Sequence, residues 1–342
     1  MKVKLEDVCE RGSSNLKQSD VEGKCGDYAV YGASGYIGNV DFYHQEKPYV
    51  AVVKDGAGIG RTTLLPAKSS VIGTMQYLLP KDNVLPEYLS YVVQYMHLEK
   101  YFSGATIPHI YYRDYKNEEF NLDCIEKQTE IVGVLIRTEG IIAARQQQLQ
   151  KLDELVKARF VEMFGDPELN PRGLPVLPWN AVFLTTTGKL DSNAMVENGR
   201  YPFFTCAKES YKIDSYAFDC EALLLAGNNA AGIYDVKHYK GKFNAYQRTY
   251  VLRLMNEKWS YILFKRQLED KLQYLQSQSK GTNTRYLTLG ILNELRFVVP
   301  PVAEQEQFAV FVEQTDKSKV AVQKALDEAQ LLFDSLMQKY FG

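Results

Sequence analysis

The chain has 342 residues, 45% of them hydrophobic and 24% charged, which is ordinary for a globular protein and leaves room for two or three domains. No run of about 18 apolar residues occurs, which excludes a membrane-spanning helix, and the N-terminal stretch lacks the apolar core of a secretory signal. Five cysteines without a CxxC pair and four scattered histidines argue against a zinc site and predict a reducing, cytoplasmic location.

The charge is unevenly distributed along the chain. The formal net charge of −2 does not by itself indicate a nucleic-acid-binding protein. Residues 167–299, however, hold 17 Lys and Arg against 12 Asp and Glu, whereas residues 1–122 hold 13 against 15. Ordinary surface variation explains this difference as well as a function does. A polyanionic partner would have to be bound locally or with the help of another subunit.

The first third of the chain reads as a mixed α/β segment. Apolar runs such as YVAVV at 49–53 predict strands, and the periodicity of 85–104 predicts an amphipathic helix. The glycines of KDGAGIGRT at 54–62 superficially resemble a nucleotide-binding loop. They lack the G-x-G-x-x-G spacing and no helical pattern follows, so we interpret them as a tight turn.

A long helix is predicted next, over residues 123–166. Asp123 and Glu126 have the spacing of a capping box, Gly140 is a weak point inside the helix, and Gly165 is a typical C-terminal stop. Apolar residues in its second half follow the 3-4 spacing of a coiled-coil seam. This predicted seam consists of Leu149, Leu152, Val156 and Met163, and Arg159 interrupts it.

The second half of the chain repeats this order after a linker, DPELNPRGLP at 166–175. Apolar runs such as TYVLRL at 249–254 predict strands, and 258–278 predicts an amphipathic helix. The Pro-Pro pair at 300–301 ends an extended segment and suits the start of a final helix over 300–342. The predicted seam of that helix consists of Leu326, Ala329, Phe333, Leu336 and Tyr340.

The two halves form an internal repeat. Residues 120–165 align with 297–342 without a gap at an offset of 177, with nine identities in 46 positions and the same apolar pattern. The offset extends upstream, where SGATIPHIYYRDYKNEEF aligns with KGTNTRYLTLGILNELRF. Two similar units in one chain make a pseudo-dimer, and antiparallel pairing of their helices would create an approximate two-fold axis. DNA has a local two-fold symmetry that dimeric proteins exploit.

This tandem arrangement resembles the specificity subunit of type I restriction-modification systems. The resemblance covers essentially the whole chain. It rests on the helix headed by PPVAEQEQFAVFVEQTD, on its diverged copy LDCIEKQTEIVGVLIRTE, and on SGATIPHI before the first helix. Glu304 and Gln305 at the head of the second helix carry it, as do, more weakly, Lys127 and Gln128. No single motif is diagnostic; the tandem order is.

The resemblance implies an α/β (α+β) tandem repeat. Two globular target recognition domains, at 1–122 and 167–299, would be separated by two long spacer helices, at 123–166 and 300–342, which form an antiparallel coiled coil with pseudo-two-fold symmetry. In that family each domain reads one half of a bipartite, asymmetric site on double-stranded DNA. The helices set the spacing and dock two methyltransferase subunits that methylate adenine, and a restriction or translocase subunit can join. The specificity subunit is not catalytic, so we predict no enzyme activity, no cofactor and no metal.

Candidate DNA-contacting residues lie on loops of both predicted domains. Arg, Lys, Asn, Gln, Ser and Thr side chains between strands are the usual contacts. The repeat places SGATIPH and KGTNTRY at equivalent positions, so both loops can face the same partner. Taken singly, each residue is more simply a solvated surface group, and the sequence does not separate phosphate contacts from base contacts. The candidates are Lys54, Arg61, Thr62, Lys68, Ser69, Ser103, Thr106, His109 and Arg113 in the first domain, and Lys237, Lys240, Lys242, Gln247, Arg248, Lys280, Thr282, Asn283, Thr284 and Arg285 in the second.

Other functions have weaker support. A methyltransferase would carry an Asn/Asp-Pro-Pro-aromatic loop, but Asn170-Pro171 lacks the second proline and the aromatic residue, and no nuclease carboxylate pattern stands out. A scaffold protein, with two modules that bind proteins at the ends of a helical rod, is the alternative that the negative net charge favours. An RNA-binding protein would use aromatic platforms, which the tyrosines permit. Steep salt dependence of duplex binding would distinguish the DNA-binding protein from the scaffold.

Overall fold

The structure is a computed structural model that describes residues 1–104 and 107–342. The chain forms two compact units. Unit 1 comprises Met1–Gln147 together with Gln323–Gly342, and unit 2 comprises Gln148–Val322. Within the described residues, no helix combines the length and the hydropathy that crossing a bilayer requires.

Unit 1 begins with an α/β module that continues into a long helix. Short 3₁₀ turns lie at Gln18–Asp20 and Leu98–Tyr101. In chain order the elements are β1 (Lys2–Lys4), α1 (Leu5–Val8), β2 (Cys9–Ser13), β3 (Tyr28–Gly32), β4 (Gly35–Val40), β5 (Tyr49–Val53), β6 (Thr62–Leu65), β7 (Ser70–Val71), β8 (Met75–Pro80), α2 (Pro86–Tyr95), α3 (Tyr112–Tyr115), β9 (Glu119–Asn121) and α4 (Ile125–Phe164).

Strand β5 lies inside a four-stranded antiparallel sheet of order β2-β8-β5-β6. All five of its residues are buried. Val50 and Val52 face a core shared with α2, whereas Tyr49 and Ala51 face a second core that contains Tyr77. This two-sided burial explains why the strand reads as a continuous apolar run. A three-stranded sheet of order β4-β3-β7 and the pair β1-β9 complete the module.

The helix predicted over 85–104 is shorter in the structure. α2 ends at Tyr95, His97 adopts the left-handed conformation (φ 51°), and a 3₁₀ turn follows. This turn buries Leu98 in the same core as α2. Tertiary packing therefore overrides the helical periodicity after Tyr95.

Unit 2 repeats this organisation. A 3₁₀ turn lies at Ser192–Ala194. In chain order the elements after α4 are β10 (Val176–Pro178), α5 (Trp179–Val182), β11 (Phe183–Thr187), β12 (Tyr201–Phe204), β13 (Tyr211–Ile213), β14 (Phe218–Ala226), β15 (Asn228–Asn229), β16 (Val236–Ala245), β17 (Thr249–Leu254), α6 (Tyr261–Asp270), α7 (Leu272–Gln278), β18 (Arg285–Tyr286), α8 (Leu289–Asn293), β19 (Arg296–Val298) and α9 (Val302–Phe341).

The strand order of unit 1 recurs in unit 2. The six-stranded sheet has the order β11-β17-β14-β16-β12-β13, so its first four strands match β2-β8-β5-β6, and β10-β19 matches β1-β9. The long strand β16 corresponds to both β6 and β7 of unit 1. Its pairing with β14 matches the pairing of β6 with β5, and its parallel pairing with β12 matches the parallel pairing of β7 with β3. The topology therefore repeats as the sequence repeat predicts.

The helix predicted over 258–278 is divided into α6 and α7, which meet at Lys271. The ammonium group of Lys271 lies 5.8 Å from the centre of the Phe297 ring. Burial lowers its pKa from the ordinary value. The break turns α7 so that Leu275 joins the core of the unit, an outcome that the sequence periodicity does not contain.

The two long helices contain 40 residues each, about 60 Å at 1.5 Å per residue. The start of α9 follows the prediction from the prolines. The backbone N–H groups of Glu304 and Gln305 both donate to the Pro301 carbonyl, at 2.9 and 3.1 Å. A proline at this position costs no hydrogen bond, since the first N–H groups of a helix have no internal partner.

The predicted capping box at the start of α4 is wrong. The helix begins at Ile125, and the Asp123 carboxylate accepts a hydrogen bond from the Tyr88 hydroxyl group at 3.2 Å instead. Gly140 lies inside the continuous helix without interrupting it. The stop predicted at Gly165 is confirmed, because this residue is left-handed (φ 79°) and its N–H donates to the Val161 carbonyl at 2.8 Å.

Within unit 2, the N-terminal part of α9 packs against the C-terminal part of α4. The ring of Phe308 lies 5.6 Å from that of Phe160 and 5.7 Å from that of Phe164, centre to centre. Further along, Lys319 Nζ is 2.6 Å from Asp153 Oδ1. Lys319 comes after Phe308 in α9, whereas its partner Asp153 comes before Phe160 in α4. These two helix segments therefore run antiparallel. Within unit 1, residues of α4 such as Leu135 share a core with Met337 and Phe341 of α9.

The predicted seam residues are all buried or half-buried in the structure. Phe160, which the predicted seam omitted, is also buried and lies at the centre of the helix contact in unit 2. Arg159 is half-buried, with its guanidinium group 5.6 Å from the centre of the Phe311 ring. Val156 and Ala329 are buried, and Leu149, Leu152, Met163, Leu326, Phe333, Leu336 and Tyr340 are half-buried.

Candidate nucleic-acid interface

In unit 1, the segment before α3 forms a short hairpin. The backbone groups of Ser103 and His109 exchange two hydrogen bonds of 2.9 Å. Gly104 has a φ of +104°, where an L side chain would be strained. Thr106, a predicted contact residue, lies outside the described residues.

Unit 2 contains the same hairpin 177 positions later. The backbone groups of Lys280 and Tyr286 exchange hydrogen bonds of 3.1 and 2.8 Å, and Gly281 has a φ of +101°. The two loops that the repeat aligned therefore share the same pair of closing backbone hydrogen bonds and a glycine with positive φ at the same position. In unit 2 every residue from 280 to 286 is exposed, which includes the candidates Lys280, Thr282, Asn283, Thr284 and Arg285.

Each hairpin is joined to the loop that follows the central strand of its sheet. In unit 1, the N–H group of Ile110 donates to the carbonyl of Lys54, directly after β5, at 3.0 Å. In unit 2, the N–H group of Leu287 donates to the carbonyl of Gly227, directly after β14, at 2.8 Å. These donors are again 177 positions apart. In each unit the contact brings residues distant in sequence to the same end of the sheet.

The side chains of unit 1 form a stack at this end. The His109 ring contacts the Asp55 carboxylate and lies 4.0 Å from the ring of Tyr111, centre to centre. The guanidinium group of Arg113 lies 4.6 Å from the centre of the Tyr111 ring. Lys54 Nζ is 4.0 Å from Asp55. We call His109, Tyr111 and Arg113 the aromatic stack. Ser103, His109, Arg113 and Lys54 are therefore brought together as predicted candidates.

Two further candidates lie along the glycine-rich loop of unit 1. Arg61 is exposed and donates from Nη1 to the carbonyl of Ala33 at 3.0 Å. The hydroxyl group of Thr62 donates to the carbonyl of Gly60 at 3.2 Å. Arg61 therefore joins two loops while its charge stays accessible, whereas Thr62 stabilises the turn.

In unit 2, the turn between β16 and β17 borders the same end of the sheet. The N–H group of Gly227 donates to the carbonyl of Arg248 at 2.9 Å. The side chains of Gln247 and Arg248 are exposed, and Gln247 Nε2 lies 3.4 Å from Asp191 Oδ2. Both candidates are thus available to a ligand that covers the hairpin.

Two basic candidates of unit 2 have partners within the protein. Lys237 Nζ donates to the carbonyl of Ala207 at 2.9 Å and is 2.8 Å from the Asp235 carboxylate. Arg285 Nη1 donates to the carbonyl of Gln276 at 3.3 Å. Lys237 therefore mainly connects two loops within the protein, whereas Arg285 stays exposed at the hairpin.

Ser69 and Lys68 are not part of this assembly. Ser69 is buried, its hydroxyl group lies 2.9 Å from that of Tyr49, and it donates to the carbonyl of Pro66 at 2.7 Å. The structure therefore removes Ser69 from the candidates, because a buried hydroxyl group cannot meet DNA. Lys68 lies on the adjoining turn beside the Tyr49 end of β5, whereas Lys54 follows the opposite end.

Lys240 and Lys242 also lie away from the hairpin of unit 2. They pair with Glu221 and Asp219 near the start of β14, whereas Gly227 follows its end. Lys240 Nζ is 3.1 Å from Glu221 Oε2. Burial raises the pKa of Glu221, but hydrogen bonds from Lys240 and His238 outweigh it and hold the pKa below its ordinary value. Both lysines are exposed and remain candidates for a more distant contact.

The sequence offered no sign of two neighbours of these sites. Tyr111, which is not among the predicted contact residues, is exposed in the aromatic stack. The loop after β11 reaches the site in unit 2, because the N–H group of Gln247 donates to the carbonyl of Leu190 at 2.8 Å. This contact places the exposed Lys189 beside Gln247. The proximity of Lys189 and Gln247 follows from the pairing of β11 with β17, which the sequence does not show.

The assembled sites present cations and hydrogen-bond donors on open loops. Lys and Arg side chains bind phosphates, and Arg, Asn and Gln can also read base edges. In residues 1–104 and 107–342, no three His, Cys, Asp or Glu side chains are grouped so that they could hold a metal ion. The chemistry of the loops suits a nucleic acid laid over the hairpin end of each sheet.

Comparison with known proteins agrees with this chemistry. A family model described as the type I restriction modification DNA specificity domain matches residues 1–154 and 182–329. The type I restriction enzyme EcoDI specificity subunit of Escherichia coli is 36% identical over 160 residues, or 44% of this chain. The match spans only 35% of that relative.

Two solved structures have a similar fold. The S subunit of the type I restriction-modification system from M. genitalium superposes with a TM-score of 0.69 at 15% identity, over 100% of this chain and 96% of that one. A chain from work on complex assembly and conformational transition of the type I R-M system gives a TM-score of 0.54 at 14% identity, over 99% and 97%. At such identities the likeness concerns the fold alone.

Proposed function

Since this chain belongs to the family of type I restriction modification DNA specificity domains, we propose that it selects the DNA sequence for a type I restriction-modification complex. Its ligand is double-stranded DNA with a bipartite, asymmetric site. The target recognition domain at 1–122 reads one half-site and the domain at 167–299 reads the other. The chain itself is not catalytic and works without a cofactor or a metal.

The observation that carries this proposal is the pair of matched hairpins. Ser103–His109 and Lys280–Tyr286 have the same backbone hydrogen bonds, the same left-handed glycine and the same attachment after a central strand. A shared backbone supports a shared type of ligand. Their side chains differ, with the aromatic stack in one unit and a polar Thr-Asn-Thr-Arg loop in the other. Different side chains on the same backbone suit two different half-sites of one polymer.

The spacer helices, at 123–166 and 300–342, are proposed to set the distance between the half-sites. We expect them to pair along their length as an antiparallel coiled coil with pseudo-two-fold symmetry. The aromatic contact of Phe308 with Phe160 and the ion pair of Lys319 with Asp153 support this pairing within unit 2. The outer faces of the helices dock two adenine methyltransferase subunits, and a restriction or translocase subunit can join them.

Base-resolution adenine methylation tests the proposal. Genomic DNA is compared between cells that express the chain with its methyltransferase subunit and cells in which the chain is deleted. We expect a split, asymmetric motif with a fixed gap that disappears on deletion. An unchanged pattern of methylation, with both proteins present and associated, would contradict the proposal and favour a scaffold that binds proteins.

Binding experiments separate the same two functions. The full chain is titrated with duplex DNA that carries the methylated motif, at several salt concentrations. A DNA-binding subunit loses affinity steeply as salt rises, because bound cations of DNA are released on binding. A scaffold has no such dependence and no preference for the motif.

A further inference from the structure

Arg113 projects from a rigid part of unit 1. It lies in α3, between Ile110 and Tyr115, and both neighbours are buried in the core. Ile110 is also tied through its backbone to Lys54. The backbone of Arg113 is therefore held in a defined position by its packed neighbours. A residue that recognises a base requires such positioning.

The aromatic stack restricts Arg113 further. Its guanidinium group lies 4.6 Å from the centre of the Tyr111 ring, a distance at which a planar cation is attracted to a ring face. Tyr111 is in turn positioned by His109 at 4.0 Å, and His109 contacts Asp55. The chain of contacts extends from the loop after the central strand to the guanidinium group.

The binding edge of this guanidinium group is open. Asp114 lies 3.5 Å from Nε, and the two terminal nitrogens have no hydrogen-bond or ion-pair partner in the part of the chain that the structure describes. The side chain is 75% exposed. An arginine with a purely structural role would use its terminal nitrogens in hydrogen bonds within the protein. Here the two terminal nitrogens, coplanar in the guanidinium group, belong to an exposed side chain.

The stack does not belong to the repeated design. At the offset of 177, Tyr111 corresponds to Thr288 and Arg113 to Gly290. Thr288 instead caps α8, where its hydroxyl group accepts a hydrogen bond from the N–H of Ile291 at 3.3 Å. The fold of the module is therefore complete without the stack, which points to a role in what distinguishes unit 1 from unit 2.

We propose that Arg113 reads a guanine in the half-site of unit 1, through two hydrogen bonds from its terminal nitrogens to O6 and N7, and that Tyr111 is the positioning residue that holds it. A planar, oriented fork matches these two acceptors. A phosphate also accepts the two donors of an arginine, but it can be bound by a lysine as a point charge, so the change of Arg113 to lysine distinguishes the two contacts. This inference rests on the proposed function. It assigns Arg113 to a contact with a base rather than with a phosphate.

The test uses the full chain assembled with its methyltransferase subunits. Arg113→Lys keeps the positive charge but loses the two parallel donors of the guanidinium group. We expect one G·C position in one half-site to become degenerate in the methylation pattern, with discrimination reduced about 10- to 100-fold. The other half-site and the salt dependence of binding stay as in the wild type. Arg11→Lys, at an exposed arginine of β2, is the matched control and leaves the motif unchanged.

A chemical probe tests the contact without relying on the variant alone. Replacing the guanine at the relaxed position by 7-deazaguanine removes the N7 acceptor. It should weaken binding of the wild type and have little effect on Arg113→Lys. Tyr111→Leu should reduce discrimination at the same position, and Tyr111→Phe, which keeps the ring, should restore it.

Three results would overturn the inference. One is an unchanged motif in Arg113→Lys. Another is a uniform change of affinity on all duplexes with no single position relaxed, which would make Arg113 a phosphate contact. The third is an equal effect of 7-deazaguanine on wild type and variant. If the wild type itself yields no bipartite motif, the proposed function fails first, and that failure is visible before Arg113 is changed.

Discussion

Gln128 and Gln305 lie 177 positions apart and make the same structural connection, each within its own unit. Both are fully buried. Gln128 Oε1 accepts a hydrogen bond from the N–H of Leu85 at the start of α2, at 2.8 Å. Gln305 Oε1 accepts one from the N–H of Ser260 at the start of α6, at 3.0 Å. Each glutamine thus joins the head of a long helix to the second helix of its module.

Replacing Gln305 should therefore destabilise unit 2. Gln305→Leu leaves the Ser260 N–H and the Pro300 carbonyl, which Gln305 Nε2 also binds at 2.8 Å, without their partner. We expect a loss of about 1–3 kcal/mol in the free energy of unfolding, measured by urea denaturation. Gln307→Leu, at an exposed position on the same helix, is the control and should change it little. Equal effects of the two variants would show that the buried connection is not important.

The left-handed glycines of the hairpins should affect one half-site each. In Gly281→Ala the new Cβ would press against the Thr284 carbonyl at a φ of +101°, a strain of about 1–3 kcal/mol. We expect weaker binding to one half-site by roughly tenfold, read from duplexes in which each half-site is scrambled in turn. Gly104→Ala should affect the other half-site.

Gly290→Ala is the control for the hairpin variants. Gly290 has no positive φ, and a Cβ there would lie at an ordinary van der Waals distance, 3.6 Å, from Thr288 Oγ1. If Gly281→Ala and Gly104→Ala weaken the same half-site, the assignment of one hairpin to each half-site is wrong.

Phe308 should dominate the helix contact of unit 2. It is fully buried and touches the rings of Phe160 and Phe164. We expect Phe308→Ala to lower the free energy of unfolding by about 3–5 kcal/mol, because it removes a large buried ring and leaves a cavity. Val310→Ala, at a position 53% exposed on the same helix, should cost no more than about 0.5 kcal/mol. Circular dichroism during chemical unfolding of both variants checks the difference.

Gly140 offers a stabilising substitution. Among the residues that the structure describes, a Cβ at this position meets no atom within 4 Å, and Gly140 is inside a continuous helix. Gly140→Ala should raise the free energy of unfolding by about 0.5–1 kcal/mol, because glycine loses more backbone entropy than alanine. Gly165→Ala should do the opposite, since its φ is +79° and the new Cβ would lie 2.5 Å from Pro171 Cγ. A higher denaturation midpoint for Gly165→Ala than for wild type would contradict this view of the helix end.

An ion pair between the linker and the head of α9 should make stability depend on pH. Arg172 binds the Glu304 carboxylate through two nitrogens, at 2.7 and 3.1 Å. The hydrogen bond from Arg172 lowers the pKa of Glu304 below its ordinary value of 4.5. A carboxyl group with a lowered folded pKa contributes stability above its unfolded pKa and loses it as the pH falls through the folded one.

Glu304→Gln tests this dependence. Relative to the wild type, the variant should be less stable at neutral pH, and the difference should shrink as the pH falls below about 4. Glu306→Gln, two residues further along the helix and exposed, serves as the reference for loss of a negative charge near the helix start. A difference that is constant from neutral to acidic pH would exclude the ion pair as its source.

Much of the architecture could be predicted from sequence, because it depends on local patterns. The offset of 177 links Gln128 to Gln305 and Gly104 to Gly281, and the structure gives each pair one role. The two helices, the proline start of α9 and the glycine end of α4 follow from periodicity and backbone preference. Predictions made from the same local rules were wrong where a tertiary contact was stronger. Asp123 accepts a hydrogen bond from Tyr88 rather than capping α4.

The composition of the sites depended on tertiary structure. Ser69 lies in a polar stretch of sequence, yet its hydroxyl group is buried against Tyr49. Lys54 and Arg113 are 59 positions apart, and their segments meet through the backbone bond of Ile110 to Lys54 and the contact of His109 with Asp55. The aromatic stack arises from this docking. By itself the sequence determined the repeat, the helices and the family, since these rest on residues near one another along the chain. Only the tertiary structure decided which polar side chains share a surface, because pairing of distant strands and loops sets those distances.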